Sequence, residues 1–326
     1  MKRYEILSFA LAFTLSLAAL SQVPAEKKLK VALVLPDTIN DLSWNQGAYE
    51  GLLAAQKKLK FEMVYQERVA DADVERVVRD YAKKGFDLIL AESFNYGDAI
   101  LKVAKDFPKV KFATATHFKT APNAAIYDWP AHHAGYLAGM LAAMMSKKGI
   151  IGFVGGYEVP DIIRIAEGYK LGAKVVNPNI KVKGVYTGSW VDVVKGREAA
   201  IALLDAGADV IAQGADGPGI GAIKAAQERG AYAIGYVADQ NRVAPKTVLT
   251  SIVLNKGVAY AKMIDDLKKG TFKGKEYLFD MTQGGVVLSP LYNVPKDIAD
   301  KIDEARKDIM AGKLKVPDRT RSTKWD

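Results

Sequence analysis

The chain contains no cysteine. That absence excludes disulfides, thiolate metal sites and cysteine nucleophiles in one step, and it removes the lipidated cysteine that tethers many exported proteins to a membrane. Histidine is nearly as scarce, with only His117, His132 and His133. Consecutive residues on a helix do not face each other, so His132 and His133 are not expected to share a site. No HExxH spacing is present, and no zinc site is expected. There is no GxSxG for a serine nucleophile and no GKS/T for a phosphate loop. The glycine-rich strings at 155–156 and 214–221 (GADGPGIG) lack the GxGxxG spacing, and an aspartate inside the second would repel phosphate. Those glycines are expected to let the backbone approach a ligand closely. Dense basic blocks are missing too. The net charge is +9, but 46 Lys and Arg are interleaved with 37 Asp and Glu along the whole chain, which reads as a solvated surface and not as a nucleic-acid interface. No carboxylate pair stands out for acid–base work. An enzyme centre, a cofactor and a metal are therefore not expected.

One apolar run is long enough to notice. Ile6 to Leu20 (ILSFALAFTLSLAAL) follows the basic Met1-Lys2-Arg3 and precedes Ser21 to Ala25 (SQVPA). It is too short to span a bilayer comfortably, and Val23-x-Ala25 suits signal peptidase. Residues 1–25 are expected to be a signal peptide, which places the protein outside the cytoplasm, in the periplasm or at a cell surface, without a cysteine-linked lipid. The alternative is that the segment is kept as an anchor.

The rest, with ordinary hydrophobic and charged content, reads as globular. Apolar, partly β-branched runs alternate with helical patterns. KVALVLP (30–36) precedes a helix at about 45–58, FEMVYQE (61–67) precedes 73–84, and FDLILAE (86–92) precedes 97–107. VKFATAT (110–116) and AAIYD (124–128) close that series. A second series follows: a helix at 130–147, GIIGFVGG (149–156), a helix at 160–175, VKGVYTG (182–188), a helix at 191–205, ADVIAQG (208–214), a helix at 218–229 and AYAIGYV (231–237). Such alternation implies βαβ units with parallel sheets and right-handed crossovers. Gly85, Gly207 and Gly230 recur at helix ends just before strands, as C′ glycines do, and Asp73 stands at an N-cap position. The fold expected is α/β, with two Rossmann-like lobes: 26–129 plus about 249–283, and 130–248 plus about 284–326. The tail after Val248 is expected to return and complete both sheets, so the chain crosses between lobes and makes a hinge.

Ligands of open α/β sheets bind outside the carboxyl ends of the strands. What recurs there in this sequence is an aromatic or a carboxylate: Asp41, Trp44 and Asn45 after the first strand, Phe94 after the third, Thr116 after the fourth, then Tyr157, Trp190, Asp216 and Asp239 in the second series. Facing rings can sandwich a planar ligand, with about 0.5–1.5 kcal/mol per pair beyond area burial. Carboxylates accept its N–H or O–H groups.

DTINDLSWNQGAYEGL (37–52), FPKVKFATATHF (107–118), HHAGYLAGMLAAMMSKKGIIGFVGG (132–156), AEGYKLGAKVVNP (166–178), GADVIAQGADGPG (207–219) and AIGYVADQ (233–240), in that order, resemble the basic membrane protein (Bmp/PnrA-like) family of ABC-transporter substrate-binding proteins. The resemblance implies a type 1 periplasmic-binding fold with a three-crossover hinge, and a purine nucleoside or purine base as ligand in the inter-lobe cleft. It also implies a membrane permease as partner, with monomer as the default state. Trp44 stands where the family has a base-stacking Phe, in Ser43-Trp44-Asn45, and Asp239 matches an aspartate that holds ribose hydroxyls. Two positions depart from the nucleoside binders: Thr116 replaces an aspartate that contacts the base. Leu254 replaces a lysine three residues after the Ser of Thr250-Ser251, with Lys256 two residues further on. SWVD (189–192), Thr116 and QGADGPG are closer to a branch that takes free bases. Two other functional classes use the same lobes. One is a ligand-sensing ectodomain serving a receptor. The other is a secreted nucleoside hydrolase, against which the missing N-terminal aspartate cluster argues.

Overall fold

A computed structural model describes residues 28–321 and 323–326; the expected signal peptide lies outside the described residues. The first lobe opens with β1 (Lys30–Val34), α1 (Trp44–Leu59), β2 (Glu62–Gln66), α2 (Val74–Lys83), β3 (Leu88–Ala91), α3 (Gly97–Asp106), β4 (Lys111–Ala115) and β5 (Ala124–Asp128). The second begins with α4 (His132–Met145) and continues through β6 (Ile150–Gly155), α5 (Pro160–Val176), β7 (Lys181–Tyr186), α6 (Val193–Asp205), β8 (Val210–Gly214), α7 (Gly217–Glu228), β9 (Tyr232–Val237) and β10 (Val248–Leu254). The chain then gives α8 (Lys256–Lys268), β11 (Glu276–Leu278), β12 (Val286–Leu288) and α9 (Lys296–Met310).

Each lobe carries a six-stranded sheet, in the orders β2-β1-β3-β4-β5-β11 and β7-β6-β8-β9-β10-β12. The first is parallel throughout; in the second only β12 runs antiparallel, against β10. Helices on both faces explain why β3, β5 and β8 are buried at every residue and read as continuous apolar runs without alternation. The edge strands β2, β7 and β11 are more exposed.

The expected boundary at about 249 moves. β10 pairs with β9 and belongs to the second sheet, so the chain re-enters the first lobe only at α8, which packs on α1. A β-branched run such as VLTSIVL fits the middle of either sheet, and only the partner strand decides between them. The crossings fall between β5 and α4, between β10 and α8, and between β11 and β12. Near the first, Asp128 at the end of β5 pairs with Arg164 of α5, which also holds Asp318 at 3.0 Å.

Gly85, Gly207 and Gly230 have φ of +75°, +98° and +65°, the left-handed conformation that ends a helix at low cost for glycine. Asp73 does not cap α2 through its side chain. It lies in a short 3₁₀ turn and pairs with Arg76 at 2.9 Å. Most glycines of the 214–221 string also have a different role from the expected one. A Cβ on Gly221 would stand 2.0 Å from the Val193 carbonyl, and one on Gly219 would meet Gln213 at 2.2 Å. They let α7 seat against α6 and β8, and only Gly217 lines the cavity. In the second lobe the open edge of β7 is covered by the chain's own last residues. Asp326 N–H donates to the Val182 carbonyl, and Trp325 stacks on Phe153 at 5.7 Å. Among the described residues, no helix is long and apolar enough to cross a membrane.

Candidate binding cleft between the lobes

A cavity of about 700 Å³ opens between the carboxyl ends of the two sheets, well within the roughly 300–1,000 Å³ of small-molecule sites. Asp41, Trp44, Asn45, Phe94, Thr116, Tyr157, Trp190 and Asp216 all line it. Asp239 does not. Its carboxylate is exposed, accepts the Tyr292 hydroxyl at 2.6 Å and accepts the Asn241 N–H at 3.1 Å. The next residue points inward instead: Gln240 is buried, and its Nε2 donates across the cleft to the Leu42 carbonyl at 3.1 Å.

The loop before α1 is held from within. Asp41 accepts N–H bonds from Ser43, Asn45 and Gln46 at 2.8–2.9 Å and also the Asn45 Nδ2–H at 2.8 Å. It therefore serves as the anion at the start of α1, where three main-chain donors converge, and Asn45 is drawn into the same turn. Ser43, at the formal cap position, makes no capping bond and donates its hydroxyl to Asp216 Oδ1 at 2.6 Å. That bond and the Gln240–Leu42 bond join the lobes. Two β-branched residues, Thr116 just after β4 and Val237 at the end of β9, have φ of +56° and +68°. Such conformations cost of order 1–3 kcal/mol and persist where surrounding structure over-determines them. Val237 stands opposite Gly47 of α1, within 3.3 Å of where a Cβ would be, and so closes against the other lobe.

Trp44 is fixed on three sides. Its Nε1–H donates to the Glu92 carbonyl at 2.8 Å, the Trp129 ring meets it edge-on at 5.9 Å, and the Lys256 Nζ lies 3.3 Å from its ring centroid. Lys256 is fully buried and paired with the equally buried Glu92 at 2.6 Å. Glu92 in turn accepts the hydroxyls of Tyr127 and Tyr260. Burial pushes the Lys256 ammonium down, opposed by the Glu92 charge. A desolvated ammonium over an indole contributes roughly 2 kcal/mol. Trp190, on the second lobe, rests on Gly156, where a Cβ would fall 2.3 Å from its ring, and meets Tyr157 at 5.3 Å.

Six carboxylates line the cavity (Asp37, Asp41, Asp71, Glu92, Asp161 and Asp216), and among the described residues no Lys, Arg or His does. Burial, then the neighbouring Asp128, raises the Asp161 carboxyl to about 7. Burial, then Asp41, raises Asp216 to about 7, with the Ser43 hydroxyl opposing. Phosphate has no counter-charge here, whereas N–H groups find many acceptors. The apolar remainder comes mainly from the second lobe: Val159, Ile162, Val191, Val193 and Ile220.

Sequence reasoning missed Asp161, Gln240 and Lys256. Asp161 obeys the same positional rule as the others, since it follows the loop at the end of β6. Nothing in the string NKGVAY marks Lys256 as buried. The imidazoles of His132 and His133, in the first turn of α4, do meet, at 4.0 Å. Burial, then His133, lowers His132 to about 4. Among the described residues no group of three or more potential ligands is placed to hold a metal.

Two α/β lobes, three crossings and a ring-lined cleft at the strand ends define a cleft-type, two-lobed binding protein. Residues 28–320 match the family described as ABC transporter substrate-binding protein PnrA-like (Bmp), and the chain belongs to that family. It is 37% identical over 294 residues to a purine-binding protein of Brucella abortus, covering 89% of this chain and 83% of that one. It is 33% identical to the transcriptional activator protein med of Bacillus subtilis (88% and 91% covered) and 31% identical to the nucleoside-binding protein BmpA of Lactococcus lactis (89% of each). Among solved structures, an ABC transporter solute-binding protein of Conexibacter woesei is similar with a TM-score of 0.74 at 26% identity, covering 89% of this chain and 99% of that one.

Proposed function

We propose that this protein is an extracytoplasmic substrate-binding subunit of an ABC importer, without enzymatic activity, that encloses a neutral purine ring and presents it to a membrane permease. The observation that carries the reading is Trp44: a ring immobilised by its N–H and by a buried cation, at the wall of a cavity rich in hydrogen-bond acceptors and lacking cationic side chains among the described residues. A flat heterocycle with N–H donors satisfies both halves of that environment, whereas the phosphate of a nucleotide would meet carboxylates and no counter-charge among the described residues. The names of the Brucella and Lactococcus relatives agree with a purine or nucleoside ligand. Between the two, the free base is favoured, because Asp239, the residue that would take ribose hydroxyls, is bonded to Tyr292 outside the cavity.

Calorimetric titration with adenine, hypoxanthine, adenosine, inosine and glucose tests this. At least one base is expected to bind with Kd of about 1 μM or tighter, with weaker nucleosides and no heat from glucose. Asp239→Asn should leave the base affinity within about twofold, since its carboxylate does not reach the cavity. Absence of binding by any purine overturns the reading. One relative is named a transcriptional activator and not a transport protein; the second reading, ligand sensing in the same cleft for a partner receptor, would be distinguished by co-purification with permease or receptor.

A further inference from the structure

The cavity poses a contradiction. Apart from Glu92, whose charge is paired with Lys256, five carboxylates and several aromatic side chains line it, an environment that attracts aromatic cations by both Coulomb and cation–π terms. One buried arrangement opposes that attraction. The Lys256 ammonium has four partners: Glu92 Oε2 at 2.6 Å, the Trp44 carbonyl at 3.1 Å, the Trp44 ring face at 3.3 Å and, further off, the Trp129 ring at 5.2 Å. All the polar neighbours of the Glu92 carboxylate, Lys256 Nζ and the hydroxyls of Tyr127 and Tyr260, are donors, as a charged carboxylate requires.

Lys256 does not line the cavity, although Trp44 does. The ring face that the ammonium covers is thus the buried one, and the cavity receives the opposite face and outer edge. The placement depends on backbone contact: a Cβ on Gly51 of α1 would come within 2.8 Å of the Gly257 main-chain nitrogen. Glycine there lets the start of α8 lie directly on α1, beneath the tryptophan.

We infer that Lys256 is a positioning residue that sets ligand selectivity, making the open face of Trp44 a platform for neutral, electron-rich heterocycles and against cationic ones. The ammonium already draws the indole π density towards the buried side. A cation stacked on the open face would lie only about 7 Å from it, one ring-contact distance on either side of the indole, with no water between. A neutral electron-rich ring gains from the same polarisation. The inference rests on the reading that a purine ring stacks on Trp44.

The test compares 9-methyladenine with the permanently charged 7,9-dimethyladeninium, which have nearly the same shape, by calorimetry. Wild-type protein should prefer the neutral ring by about tenfold or more, although the cavity is acidic. In the double variant Lys256→Met/Glu92→Gln both buried charges leave together, so no lone charge remains, and the preference should shrink by about tenfold or reverse. A merely structural role would weaken both ligands alike and leave their ratio unmoved. Binding of the neutral ring with an unchanged ratio in the variant overturns this inference and leaves the purine reading intact; failure of both ligands to bind wild-type protein overturns both. Should the variant not fold, the wild-type pair still decides, because tighter binding of the cation overturns the inference alone.

Discussion

Trp44 and Trp190 line the cleft from opposite lobes, Trp44 after the inner strand β1 and Trp190 after the edge strand β7. Their supports differ in kind. Trp44 is held by a hydrogen bond through its N–H, by an edge-on tryptophan and by a fully buried ion pair. Trp190 rests on a glycine and touches the exposed Tyr157. The first side is built to keep one ring orientation, while the second has an apolar bed that tolerates adjustment. Rigid placement on one wall and compliance on the other suits a cleft that must recognise its ligand before it finishes closing, since preorganisation reduces what binding must spend on ordering.

That contrast can be broken most severely at its rigid side. Trp44→Ala should lower ligand affinity by about a hundredfold or more, through loss of both ring stacking and the buried area of the indole. Calorimetry on the folded variant checks it, and an unchanged Kd would remove Trp44 from the site. The compliant side should respond less. Gly156→Ala pushes a methyl group into the space of the Trp190 ring, and the displaced ring should cost about tenfold in affinity. If this variant proves as damaging as Trp44→Ala, the two walls are equivalent and the contrast is lost.

A pH dependence tests the acidic lining that the two walls share. Asp161 and Asp216 have carboxyls raised to about 7 from an ordinary 3.8. Between those values the unfolded chain has released protons that the folded chain keeps, so unliganded stability should fall as pH rises through that window and level off above about 7. Asp216→Asn should flatten part of the slope in melting temperature measured from pH 5 to 8. An N–H-donating ligand prefers the ionised carboxylates, so its affinity should rise over the same interval, and less so in the variant. A flat wild-type profile would show that both groups ionise near the ordinary value.

The alternation of runs and caps made most of the fold legible, because a parallel strand covered on both faces must be apolar throughout and three of the helices leading into strands end at a left-handed glycine. The strand-end rule brought eight of nine candidate residues to one cavity. It failed at Asp239, where one residue decides the direction: Asp239 turns out to Tyr292, and Gln240 turns in to Leu42. It also could not separate lining from scaffolding, so Asp41 and Asn45 reach the cavity while most of their bonding capacity serves the start of α1.

The sequence by itself determined the two α/β series, the glycine-ended helix–strand junctions and the aromatic and acidic residues gathered at strand ends. These follow from local periodicity and backbone preference, which a short window contains. Only the tertiary structure decided which sheet takes Val248–Leu254, which way Asp239 faces, and that Lys256 lies beneath Trp44 with Glu92 as its counter-ion. Those outcomes join residues up to 212 positions apart. Their energies come from burial and charge pairing in a dry interior, which exists only once both lobes have packed.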